Sequence, residues 1–79
     1  MLDLLKIDVS QNDLESIDWL NQFKQLQQIT AVRCHLRQVN LDLPRLVELN
    51  LKNNFIERMP SFRSMPNLQI IMLKANNMT

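Results

Sequence analysis

The sequence predicts an α/β chain in which a repeated unit lays short parallel strands side by side. Three observations carry that reading. The stretch LVELNLKNNFIERMP, Leu46 to Pro60, places apolar residues at 46, 49, 51, 56 and 59 around an asparagine at 54, a rhythm that neither a strand nor a helix sustains for that length. The same pattern recurs along the chain with steps of 22, 20 and 22 residues. The polar slot at its centre reads Asn12, Cys34, Asn54 and Asn76.

The first copy is Leu4, Ile7, Val9, Asn12, Leu14, Ile17. The second is Leu26, Ile29, Ala31, Cys34, Leu36, Val39, and the third is Leu46, Leu49, Leu51, Asn54, Ile56, Met59. The fourth is Leu68, Ile71, Leu73, Asn76, Met78. Within each copy the x-L-x-L-x alternation turns two side chains inward from a short strand and their neighbours outward. The backbone must then turn through apolar surroundings, where an unpaired amide or carbonyl costs about 1–3 kcal/mol. An asparagine at that point supplies both donors and an acceptor, whereas Cys34 is small, tolerates burial and offers a weak thiol donor.

The connections differ. After Ile17 the apolar residues fall every third position, Leu20, Phe23 and Leu26, and after Met59 the same beat returns as Phe62, Met65 and Leu68. A spacing of three predicts a tight helical turn or a short 3₁₀ segment at both places. The middle connection, Val39 to Leu46, is two residues shorter. It is expected to be extended, held by Leu41 and Leu43, because Pro44 moves the residue before it out of helical geometry.

The residues just given match the L-x-x-L-x-L-x-x-N/C-x-L signature of the leucine-rich repeat over essentially the whole chain. The I-x-x-L-x-x-F-x-x-L connection resembles the intracellular 22-residue subclass typified by the leucine-rich regulatory subunit of protein phosphatase one. There Ile17-Asp18-Trp19-Leu20 is similar to a frequent I-E-G-L, with Trp19 where glycine is common. The resemblance implies a curved right-handed solenoid with four short parallel strands on its concave face and short 3₁₀, helical or extended segments on its convex face. It makes residues 1–79 one domain or fragment, with repeats beginning near 4, 26, 46 and 68 and no evident caps. Because such a unit buries its apolar face only against its neighbours, uncapped ends imply self-association, a larger assembly or a longer parent chain.

The resemblance also implies that outward side chains of the sheet contact a protein partner. These are Lys6, Asp8, Ser10 and Gln11, then Gln28, Thr30, Val32 and Arg33, then Glu48, Asn50, Lys52 and Asn53, and finally Ile70, Met72, Lys74 and Ala75. The face is polar for three repeats and apolar at Ile70 and Met72. Phosphatase regulators of the family bind through acidic and aromatic side chains on this face. Asp8 and Glu48 meet the first requirement, but no aromatic occupies any of the positions named. On the convex side Trp19 is either an exposed contact residue or, as the favoured reading, a ring lying flat against the chain. Phe55 follows the polar slot, at the position held elsewhere by Asp13, His35 and Asn77, and is expected to be half exposed.

Composition excludes several classes. The chain has 79 residues, 46% of them hydrophobic, and a formal net charge of +1, which gives no general field for nucleic acid or membrane. Acids dominate residues 1–18 and bases the remainder. The chain contains no glycine, which argues against a phosphate-cradling loop. With one cysteine and one histidine, side by side and expected to point apart, neither a metal cluster nor a nucleophile with its base is expected. No cofactor is implied. The lone cysteine, the absence of a basic leader and of a long apolar run, and the lack of the cysteine-bearing caps of extracellular relatives point to an intracellular protein, cytoplasmic, nuclear or ciliary. The expected function is a non-catalytic protein-interaction module. The alternatives are a phosphatase regulatory subunit and an architectural subunit or fragment of a larger assembly.

Overall fold

The computed structural model describes residues 4–58 and 61–77. The apolar slots assigned to Met59 and Met78 lie outside them. Four three-residue strands, β1 (Lys6–Asp8), β2 (Gln28–Thr30), β3 (Glu48–Asn50) and β4 (Ile70–Met72), form one sheet in chain order. All neighbours are parallel, and the register joins Ile7, Ile29, Leu49 and Ile71 in one row. This is the register the 22-, 20- and 22-residue steps require. Apart from one 3₁₀ helix, Asp18–Gln22, helix is absent among the described residues.

In β2 and β3 only the middle residue is buried, as the alternation demands. The core lies under that face, where Ile29, Ala31, Leu49 and Leu51 join Ile17, Leu20, Leu26, Leu36, Leu43 and Leu46. Burial falls off toward the two outer strands. Ile7, Val9, Leu68, Ile71 and Leu73 pack only partly against the core, and Leu4, assigned to the inward set, is 37% exposed. The slots of the outer repeats are apolar but have described neighbours on one side alone.

Wherever the apolar beat of three occurs, it is written in hydrogen bonds. The N–H of Leu20 donates to the carbonyl of Ile17, that of Phe23 to Leu20 and that of Leu26 to Phe23, at 2.9–3.0 Å. Met65 to Phe62 and Leu68 to Met65 repeat the arrangement. The second instance differs from the 3₁₀ segment expected there, since residues 63–67 make separate turns and no helix. Pro66 lacks an N–H and cannot contribute to a continuous ladder.

The short connection has neither helix nor strand, turns at Pro44 and Arg45, and buries Leu41 and Leu43. Its backbone pairs with no strand, and side chains from both flanks satisfy it. Asn21 donates to the carbonyl of Asn40 (2.9 Å) and accepts the N–H of Asp42 (2.7 Å). Asp18 accepts the N–H of Asn40, Lys24 donates to the Asp42 carbonyl, and Ser64 donates to the Leu41 carbonyl. Asp18, Asn21 and Lys24 are spaced by three, so the 3₁₀ turn presents them on one side.

The turn after each strand is the most constrained part. Asn54 is 3% exposed and is the buried polar residue of the described chain. Its Nδ2 donates to the carbonyls of Ala31, Leu51 and Lys52, and its Oδ1 accepts the N–H groups of Cys34 and Leu36. Asn76 serves the preceding turn in the same way, donating to Leu51 and Leu73 and accepting from Ile56. Cys34 divides the role. Its Sγ donates to the Val9 carbonyl (3.2 Å), while its own carbonyl accepts the N–H groups of Leu14 and Glu15. Asn12, by contrast, is exposed and bonds only to Val9 and Ser10 of its own turn.

Removing the Asn54 side chain strands several buried groups at about 1–3 kcal/mol each. Asn54→Ala is therefore expected to lose about 3 kcal/mol or more of stability in urea unfolding, against less than about 1 kcal/mol for Asn12→Ala. Equal losses would contradict this account of the turn.

Candidate interaction surface

The outward side chains form three rows across the sheet. The register places Lys6, Gln28, Glu48 and Ile70 in the first and Asp8, Thr30, Asn50 and Met72 in the second. Ser10, Val32, Lys52 and Lys74 follow two residues later as the third. The sixteen sequence-assigned positions are thus brought together, with one qualification. Gln11, Arg33, Asn53 and Ala75 all have φ of 59–62°, so the chain has already left the strand direction at these residues. Only Asn53 is of a type that tolerates the left-handed region well. Without glycine in the chain, nothing marked that position in advance.

The surface is partly knitted together. Gln28 Nε2 donates to Glu48 Oε2 at 2.7 Å. Asp8 accepts the N–H of Ser10, and Asn50 accepts that of Lys52, so the second row also braces the start of the turn. The hydroxyl oxygen of Ser10 accepts the N–H of Val32. Asp8 is held below its ordinary carboxylate range, first by the backbone N–H of Ser10 and second by the Ser10 hydroxyl. Lys6, Arg33, Lys52 and Lys74 form no ion pair among the described residues.

On the first strands the apolar content is low, whereas Ile70 is 44% exposed on β4. Trp19 also stands out, at 44% exposed. More than half of its surface is nonetheless shielded. The 3₁₀ helix buries Leu20 alone, and a residue adjacent to Leu20 in a three-residue turn points elsewhere.

A second group sits along the edge that follows the polar slots. His35 Nδ1 lies 3.1 Å from Asp13 Oδ1, and the His35 ring stacks on Phe55 with centroids 5.6 Å apart and planes 19° apart. The Arg37 guanidinium lies 5.9 Å from the centre of the Phe55 ring. These residues border an open groove of about 580 Å³ whose other wall carries Glu15 and Asp18. Alignment of the repeats puts Asp13, His35 and Phe55 at one position, and that equivalence was the available signal. Read singly, His35 passes for a solvated histidine; in the fold it has neighbours on both sides. Cys34 is buried beside it with its thiol on backbone carbonyls, so the two side chains do point apart.

Fold and surface together define a small parallel-sheet domain with little helix and a largely polar outward face. Compared with known proteins, the chain matches no family model, no curated relative and no solved structure. No helix among the described residues is long and apolar enough to cross a membrane.

Two measurements check this geometry. The Asp8 carboxyl should titrate below an ordinary aspartate by NMR, and Ser10→Ala should raise it part of the way, because the larger contribution comes from the backbone. A depressed native value favours the folded state above the unfolded pKa, and this contribution fades as pH falls through the native one. Phe55→Ala should cost about 1 kcal/mol or less in thermal unfolding, since its stack is solvent-exposed, and should shift the His35 ring resonances.

Proposed function

We propose that the chain is a leucine-rich repeat solenoid of the intracellular 22-residue kind, acting as a non-catalytic module that offers the concave face of its sheet to a protein partner. The observation that carries this reading is the register of the outward rows. Lys6, Asp8, Gln28, Thr30, Glu48, Asn50 and Met72 project from one hydrogen-bonded sheet, so their spacing is fixed by backbone before any partner arrives, and preorganisation lowers the ordering cost of association. Lys52 and Lys74 extend the polar area beside them, and their unpaired charges favour rapid encounter with an acidic surface.

The non-catalytic part of the reading is supported by Cys34 and His35. A thiol nucleophile needs exposure and an adjacent base. Cys34 is buried against carbonyls, while the His35 ring is turned to Asp13 and Phe55. A free cysteine fits a reducing, intracellular setting. Phosphatase regulation is the weaker alternative, because the outward rows carry no aromatic side chain.

The test is a binding assay against partners captured by the wild-type chain. Thr30→Arg and Asn50→Arg, placed at the centre of the face, are expected to weaken capture at least about tenfold, equivalent to about 1.4 kcal/mol. Trp19→Ala should leave it unchanged. Loss of binding with Trp19→Ala and retention with the two arginine variants would move the function to the opposite side of the molecule.

A further inference from the structure

The same hydrogen bonds recur at each strand junction. Val9 and Gln11 donate to the carbonyls of Thr30 and Val32, Ala31 and Arg33 to Asn50 and Lys52, and Leu51 and Asn53 to Met72 and Lys74. In the other direction Gln27 and Gln28 donate to Leu5, Val47 and Glu48 to Gln27, and Gln69 and Ile70 to Val47. The two outer edges of the sheet carry the next members of both series. At β4 these are the N–H groups of Leu73 and Ala75 and the carbonyl of Gln69. At β1 they are the N–H groups of Leu5 and Lys6 and the carbonyls of Asp8 and Ser10. Outside the strand ladders none of these groups has a backbone partner among the described residues, and because alternate residues of a parallel strand bond to opposite sides, the Lys6 N–H and the Asp8 carbonyl face away from β2.

We propose that these edges are each other's partner: β1 of one copy of the chain seats beside β4 of another, parallel and in the internal register. Ile70, Ile71 and Met72 then oppose Lys6, Ile7 and Asp8 of the second copy. Three features of the two edges select a second copy as the occupant. The first is the complementary hydrogen-bond series, which fits a parallel strand in the internal register.

The second is the polar slot. Asn54 reaches the Ala31 carbonyl and takes the Cys34 N–H across a strand junction, while Asn12 makes only the bonds within its own turn. In the stack, the Asn12 amide of the second copy faces the Leu73 carbonyl and its Oδ1 faces the Asn76 N–H. The third is charge. Residues 4–22 contain one lysine and four carboxylates, leaving −3, and residues 61–77 contain Arg63 and Lys74 with no carboxylate, giving +2. Unlike ends attract, and like ends repel. Both ends also bring partly exposed apolar side chains, Leu4, Leu5, Ile7 and Val9 on one and Ile70, Ile71 and Leu73 on the other. The contact is heterologous, so it propagates to a filament or closes to a ring. It stands on the strand edges and is independent of what the outward face binds.

Sedimentation velocity of the full chain over ~1–300 μM, which reports micromolar association, should show mass rising with concentration. Leu5→Pro removes an N–H that points to the free β1 edge, and Leu73→Pro does the same at β4; proline is tolerated at such edge positions. Each variant alone is expected to remain monomeric, with circular dichroism confirming the fold, and an equimolar mixture is expected to form a one-to-one dimer. Should a proline unfold the chain, Asp8→Arg and Lys74→Glu serve instead, each weakening self-association about threefold or more, with the double variant restoring it. A wild-type chain at monomer mass throughout, or a single proline variant that still self-associates, would overturn the proposal.

Discussion

The side-chain amide of Asn54 is the interaction on which the rest of this small fold depends. A chain that repeatedly leaves a sheet and turns back over an apolar core must carry peptide groups through a region without water, and a strand ladder cannot reach them. Asn54 resolves this with one planar group, donating through Nδ2 to three carbonyls and accepting two N–H groups at Oδ1. Those partners belong to two successive repeats, so the amide also fixes how the repeats stack. The row of buried Ile29 and Leu49 in the sheet and the outward side chains of β2 and β3 follow from that spacing.

The second repeat lacks the amide, and its geometry changes in a way that preserves the hydrogen bonds. The Cys34 thiol takes over the donor role. The acceptor role passes to the backbone carbonyl of Cys34, immediately before a His35 at φ 60°. A non-glycine residue in that region is strained by about 1–2 kcal/mol, and the Cys34 carbonyl gains two backbone N–H donors, those of Leu14 and Glu15. The same residue, His35, then stands in the edge row with Asp13 and Phe55. A substitution in the interior has in this way been absorbed by the turn that carries the exposed histidine.

Much of this was legible in the sequence because the information was periodic. The positions of the strands, their parallel register, the burial of Asn54 and the 3₁₀ turn after Ile17 follow from spacing, and the burial of Leu41 and Leu43 without a helix follows from Pro44. The rest depended on neighbours. Leu4 and Asn12 carry the repeat's residue types but lie at the first strand, where only one side is covered, so they are exposed. Trp19 carries no positional cue that distinguishes a covered ring from a free one. The left-handed residues Gln11, Arg33, Asn53 and Ala75 were hidden because glycine, the usual marker of such a turn, is missing. The period-three beat of Phe62, Met65 and Leu68 predicts a tight helical turn or a short 3₁₀ segment, and Pro66 confines it to separate turns.

The proposed binding face and the proposed pairing of strand edges both depend on what the turns hold in place, the fixed spacing of the four parallel strands. Both require that the turn amides be bonded by Asn54 in solution. Amide hydrogen exchange reports this directly, because Cys34 and Leu36 lie outside any strand and their N–H groups have the Asn54 Oδ1 as acceptor. Their exchange is predicted to be as slow as that of Ile29 and Leu49 in the central strands, and far slower than that of the Asn12 amide in the equivalent first turn. Exchange of Cys34 and Leu36 at the rate of a free peptide, with the strands still protected, would contradict it.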